Sequence, residues 1–198
     1  MNEEKLKFIK ELKNKKSILQ FEFEDGASWP VSSKMSPFSV ADIYMTSPDI
    51  LISEAKNYDV DDIIAYPVVF MYRHAIELYL KEVLEQLNVQ VSKIHGIDEL
   101  WNTLNAKLLE LMDKKKRSDI ELNLLPSKEE FDSIFEFHTV SPNSTELRYP
   151  DSPLLGGDPL LLFINFMNAK YHANRAREYF KRLEEILQTQ GFPSKNKI

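Results

Sequence analysis

The decapeptide Tyr72-Arg73-His74-Ala75-Ile76-Glu77-Leu78-Tyr79-Leu80-Lys81 holds the densest set of groups that could do chemistry. On a helix, residues four apart meet on neighbouring turns, so Glu77 lies within reach of both Arg73 and Lys81. Arg73 falls at the border of an apolar arc, where a guanidinium without partners is costly. Arg73, His74, Glu77 and Lys81 could surround an anion or a scissile phosphate, with arginine holding charge and His74 or Glu77 moving a proton. The same four could instead be an internal ion-pair network that fixes helix register. Networks of that kind perturb charges as readily as active sites do, and this plainer role carries more weight.

The remaining candidates are sparser. His95 stands just before a predicted helix, where capping backbone N–H groups outranks a catalytic role. His138 and His172 are isolated, and His172 flanks a run of alanines. Ser144-Thr145-Glu146-Leu147-Arg148-Tyr149-Pro150 sets Arg148 beside Tyr149 in a loop or short strand. Arg148 there could anchor the loop, on Glu77 for example, or meet a phosphate. Leu155-Gly156-Gly157-Asp158 matches neither a P-loop nor GxGxxG, and its aspartate would repel phosphate, so a turn is expected. No HExxH and no closely spaced His/Asp pair occurs, and neither a metal nor a cofactor is expected. The absence of cysteine excludes disulfides, thiolate nucleophiles and Cys-ligated zinc or iron–sulfur sites.

These side chains need elements to hold them. Residues 2–16 suit a short amphipathic helix, and Ser17–Glu24 alternates like a strand. Residues 26–37 read as loop. Ser47-Pro48-Asp49 has the form of an N-cap with proline at the first helical position, predicting a short helix to about Asn57. A long central helix starts between Asp61 and Pro67 and runs to about Leu87. Val69, Tyr72, Ile76, Tyr79, Leu80, Val83, Leu84 and Leu87 share one arc of it, while His74, Glu77, Lys81 and Glu85 gather on another. After His95-Gly96 a third helix carries Leu100, Leu104, Leu108 and Leu111 as a stripe, with Trp101 beside it. Ser127-Lys128-Glu129-Glu130 is a capping box opening a helix with Phe131, Ile134 and Phe135.

Asp158-Pro159 predicts the start of the last helix, along which Leu162, Phe166, Ala169, Ala173, Ala176, Phe180, Leu183 and Leu187 repeat with 4-3 spacing. The alanines would let a partner helix approach closely. That partner could be the central helix or a second protomer. The expected fold is an all-α helical bundle with long central and C-terminal helices and a small strand-like or irregular N-terminal arm. The arm would take residues 1–40 and the bundle residues 41–198.

A length of 198 residues with 43% hydrophobic and 28% charged side chains is enough for one domain with an arm. A net charge of −6 argues against a surface built wholly for phosphates. The charge is segregated, however. Lys170, Arg175, Arg177, Lys181 and Arg182 outweigh Glu178 on the last helix, while residues 41–62 and 119–136 are acidic and could dock against that basic strip. The charged N-terminus lacks the apolar core of a signal peptide, and no apolar run approaches the roughly 20 residues of a membrane span. A cytoplasmic location is the expectation.

YRHAIELYLKEVL on a long helix, HGIDELW opening the next, and ELRYP before a final long helix resemble bacterial proteins of the HEPN superfamily, over roughly residues 60–190. The resemblance implies an all-α bundle that commonly dimerises through its long helices. Some relatives are metal-independent ribonucleases, often in toxin–antitoxin or phage-defence systems, and others are non-catalytic modules that bind nucleotides or proteins. The nuclease members share an arginine followed by four to six residues and a histidine. Arg73, Arg117, Arg148, Arg175, Arg177 and Arg182 all lack a histidine at that distance, so the nuclease residues are not carried over. What matches is the helix bearing Arg73, His74, Glu77 and Lys81, together with His95, Trp101 and the Arg148-Tyr149-Pro150 turn. Binding therefore ranks above catalysis: a homodimeric module, paired through its long helices, that takes RNA, a nucleotide or a partner protein. The alternative is a divergent metal-independent endoribonuclease using Arg73, His74 and Arg148.

Overall fold

The computed structural model describes residues 36–58, 61–115, 124–142 and 164–192. Five long helices occupy them: α1 (Pro37–Tyr58), α2 (Asp61–Gln86), α3 (Ile97–Lys115), α4 (Lys128–Val140) and α5 (Phe166–Thr189). Among the described residues there is no strand, and the fold is all-α as expected. The proposed N-terminal helix and strand, the Gly156-Gly157 turn, and Arg148 and Tyr149 lie outside the described residues.

α2 is the hub and packs against each of the other four helices. Its predicted arc is the core: Val69, Tyr72, Ile76, Tyr79, Leu80, Val83, Leu84 and Leu87 are all buried. Leu100, Leu104 and Leu108 of α3 join them with Trp101, while Leu111 is only partly covered. The seam of α5 points into the same core. Ala173, Ala176, Phe180 and Leu183 are fully buried within the chain, and the Phe180 ring stacks on Tyr79 of α2 at 5.1 Å. Of the two partners the seam could have had, the chain itself supplies the one seen here. Small side chains at 173 and 176 are what allow that approach.

Two helix starts differ from the sequence reading. Ser47-Pro48-Asp49 does not open a helix, because α1 already runs from Pro37 and carries Pro48 inside it. The helix persists because Phe38, Ala41, Met45, Ile52 and Ala55 form a buried stripe that holds both sides of the proline against α2. Proline cannot bond the carbonyl one turn back. Just ahead of it, the Thr46 and Ser47 hydroxyls donate to the carbonyls of Asp42 and Ile43 at 2.8 Å each. α5 begins at Phe166, capped by Asn165, whose side-chain oxygen accepts from the amides of Met167 and Asn168. Ile164 and Asn165 are not helical, so α5 does not run unbroken from Pro159. No helix among the described residues is long and apolar enough to cross a membrane.

Candidate functional site

Arg73, Glu77 and Lys81 share one face of α2, while His74 lies on another. Arg73 is 1% exposed and Glu77 3% exposed, which puts both inside the bundle. The Arg73 guanidinium donates through Nε to the carbonyl of Ser141 at 2.7 Å and through Nη2 to the carbonyls of His95 and Pro142 at 3.0 and 3.3 Å. Its Nη1 reaches Glu77 Oε2 at 3.1 Å. One side chain thus ties α2 to the entrance of α3 and the exit of α4. The planar fork of arginine suits four acceptors spread in this way, and a lysine ammonium would not.

The other oxygen of Glu77 faces outward. Lys81 Nζ lies 2.8 Å from Oε1, His95 Nδ1 also 2.8 Å, and the two nitrogens are 3.4 Å apart. Burial pushes the Glu77 carboxyl up, but hydrogen bonds from Lys81 and His95 and the charges of Lys81 and Arg73 outweigh it. Glu77 is held below the ordinary carboxylate value and stays ionised. Arg73, Glu77, Lys81 and His95 are therefore brought together, with the His95 ring more than half exposed at the outer end. His95 does not cap α3 with its side chain; the Gly96 carbonyl accepts the first helical bond, from Leu100. His74 has different neighbours. Its ring stands edge-on to Tyr44 at 4.7 Å and stacks on Phe70 at 5.7 Å.

The basic strip of α5 is matched residue by residue. Asp42 of α1 receives Arg177 Nε at 2.8 Å, Lys181 Nζ at 3.4 Å and the Tyr79 hydroxyl. Burial raises the Asp42 carboxyl, yet the Tyr79 bond and the charges of Arg177 and Lys181 hold it below its ordinary value. Lys170 reaches Asp49 at 3.3 Å. Arg175 pairs with Glu129 and Glu178. Arg182 grips Glu130 with both nitrogens at 2.6 and 2.9 Å, and that bond is the leading cause of the lowered Glu130 carboxyl. Glu130 also completes the expected capping box with Ser127. Asp42 and Asp49 of the acidic segment 41–62, and Glu129 and Glu130 of the segment 119–136, do meet the strip, within one chain.

A cavity of about 350 Å³ lies between α2, α4 and the start of α5. Val69, Phe137 and Ala169 give it apolar walls, and Glu136, Asn168 and His172 give it polar edges. His172 Nδ1 pairs with the Ser133 hydroxyl at 3.0 Å. His138 Nδ1 stands 3.8 Å from Asp98 Oδ1, outside hydrogen-bond range. Among the described residues, no three His, Asp or Glu side chains group to hold a metal ion.

Sequence reasoning missed Asp42, the Arg182–Glu130 pair and the cavity. The first had a signal: Asp42 and Asp49 are seven residues apart, one helix face, as are Lys170 and Arg177. The cavity had none, since its lining comes from three separate helices. Compared with known families, the chain matches the model described as HEPN domain over residues 54–191. No curated protein and no solved structure matches it.

Proposed function

The chain belongs to the HEPN domain family, and on that premise we propose that it is a non-catalytic member that binds RNA or a nucleotide and pairs with a second copy of itself. The observation that supports this reading is the engagement of Arg73. A guanidinium that stabilises charge developing on a substrate must aim its N–H groups at that substrate. Those of Arg73 are aimed at three backbone carbonyls and Glu77, with 1% of the residue exposed. A ribonuclease built on Arg73, His74 and Arg148 finds less support, because Arg73 and His74 serve different neighbours. A module of this kind would serve a toxin–antitoxin or phage-defence system by binding, not by cutting.

For self-pairing, the outer face of α1 offers an exposed apolar pair. Ile43 and Ile50 are 45% and 61% exposed there, separated by Thr46 and Ser47. An antiparallel copy related by a two-fold axis between Thr46 and Ser47 would set each Ile43 on the other copy's Ile50.

The test is to purify the full chain, identify copurifying nucleic acid, and incubate the protein with single-stranded RNA in chelator. Retained, intact RNA or nucleotide is the expected result. Cleavage that Arg73→Ala abolishes without loss of fold would overturn the non-catalytic reading.

A further inference from the structure

The cavity between α2, α4 and α5 combines two kinds of lining that rarely suit one simple ligand. Val69, Phe137 and Ala169 offer apolar walls, and the alanine keeps the space open. At about 350 Å³ the volume falls within the range of small-molecule sites, about 300–1,000 Å³. The edges carry both hydrogen-bond senses. Glu136 can only accept when ionised, and the Asn168 carboxamide both donates and accepts. Asn165 has its oxygen engaged by the amides of Met167 and Asn168, so its NH₂ is the group it has to offer. His172 has Nδ1 on Ser133, which leaves Nε2 for a ligand.

Among the described residues that line the cavity there is no lysine or arginine. Glu136 would repel a phosphate, and the first amides of α5 are already taken by Asn165. Flat apolar faces with donors and acceptors side by side on one edge are the chemistry of a nucleobase. Sites that hold an unstacked base use this combination of apolar walls and edge hydrogen bonds.

We propose, building on the nucleotide- or RNA-binding reading above, that this cavity binds an uncharged nucleobase and recognises its edge, with the phosphate left outside. The base can come from a free nucleoside or from a single-stranded RNA, and the two sources are separable by titration.

The experiment titrates the full chain with adenosine, guanosine, cytidine and uridine, with their 5′-monophosphates, and with a short single-stranded RNA, by calorimetry. At least one nucleoside is expected to bind, and its monophosphate no more than about threefold tighter, since the described lining offers the phosphate no lysine or arginine. Asn168→Ala should weaken binding about tenfold, the value of one well-made hydrogen bond. Ala169→Phe should fill the space and remove binding. Binding of RNA that excludes the nucleoside identifies RNA as the source. No nucleoside binding, or nucleoside binding untouched by both Asn168→Ala and Ala169→Phe, overturns the proposal. RNA binding that survives Ala169→Phe at full affinity also overturns it, and leaves the RNA-binding reading standing. Absence of RNA binding by the wild type, with nucleosides and their monophosphates still bound, leaves the cavity proposal standing and removes RNA from the earlier reading.

Discussion

Arg73 Nε donates to the carbonyl of Ser141 at 2.7 Å, joining residues 68 positions apart in the chain. The bond makes an α2 side chain the clasp on the end of α4, whose C-terminal cap is Ser141. Truncating it would take the guanidinium donors from the Ser141, His95 and Pro142 carbonyls and strip Glu77 of one of its cations. Arg73→Ala is therefore expected to cost about 3–5 kcal/mol of folding stability in urea unfolding. Arg73→Lys should recover little of this, because one ammonium cannot reach acceptors spread around a fork. A loss below about 1 kcal/mol, the range of ordinary surface changes, would show that the network is dispensable.

The pairing of α5 cations with carboxylates of α1 and α4 bears on how RNA would be held under the proposed function. Binding by neutralised phosphates weakens steeply with salt, by roughly one power of concentration for each phosphate contacted. Lys170, Arg175, Arg177, Lys181 and Arg182 each have a carboxylate within 3.4 Å. The salt dependence of RNA binding should accordingly be shallow, about two contacts or fewer. Lys170→Ala and Arg175→Ala should leave affinity within about threefold. A steep dependence abolished by those substitutions would mean that the strip opens to nucleic acid.

Acid sensitivity follows from the same carboxylates. Asp42, Glu77 and Glu130 are all held below their ordinary values in the folded chain. At pH values between the folded and unfolded pKa, the unfolded chain binds the extra proton, so stability rises with pH. Their contribution is fully present above about pH 4.5 and is lost as pH falls through the lower folded values, at up to about 1.4 kcal/mol per group per pH unit. Glu184 acts in the opposite sense. Burial and the nearby Glu82 and Asp42 raise its carboxyl, so it favours folding when protonated and offsets part of the gain as pH rises. Urea midpoints measured from pH 3 to pH 7 should climb steeply at the acid end and then flatten. In Glu130→Gln the acid slope should be smaller, by about one proton.

The repeating apolar pattern made most of this bundle readable. Each arc residue of α2 and the 4-3 seam of α5 from Ala173 onward is buried, because a helix must hide its stripe whatever its neighbours are. Local turn chemistry was a poorer guide. Ser127 caps α4 as expected, but Pro48 sits within α1 because packing of Phe38, Met45 and Ile52 outweighs one lost backbone bond. The candidate cluster was legible in part, since four-residue spacing joined Arg73, Glu77 and Lys81. Its acceptors at Ser141 and Pro142 are backbone carbonyls, which no side-chain motif announces.

The alanine seam and the outer face of α1 make opposite predictions for self-association. Ala173 and Ala176 are fully buried against the chain's own helices. Ala176→Leu should therefore overpack the core and cost about 1–3 kcal/mol, with no direct effect on oligomeric state. Ile43 and Ile50 are exposed, so Ile43→Arg and Ile50→Arg should scarcely alter the melting temperature of a single copy. In a dimer paired through α1, however, each substitution would bury a cation against isoleucine, and the double variant would bring four such charges together. Light scattering at high protein concentration should report a dimer for the wild type and a monomer for the double variant. If the wild type is monomeric, or the double variant stays dimeric, α1 is not the pairing surface. Loss of the dimer in Ala176→Leu at full folded content would return the seam to that role, because only a helix exchanged between copies could make a buried alanine part of the interface.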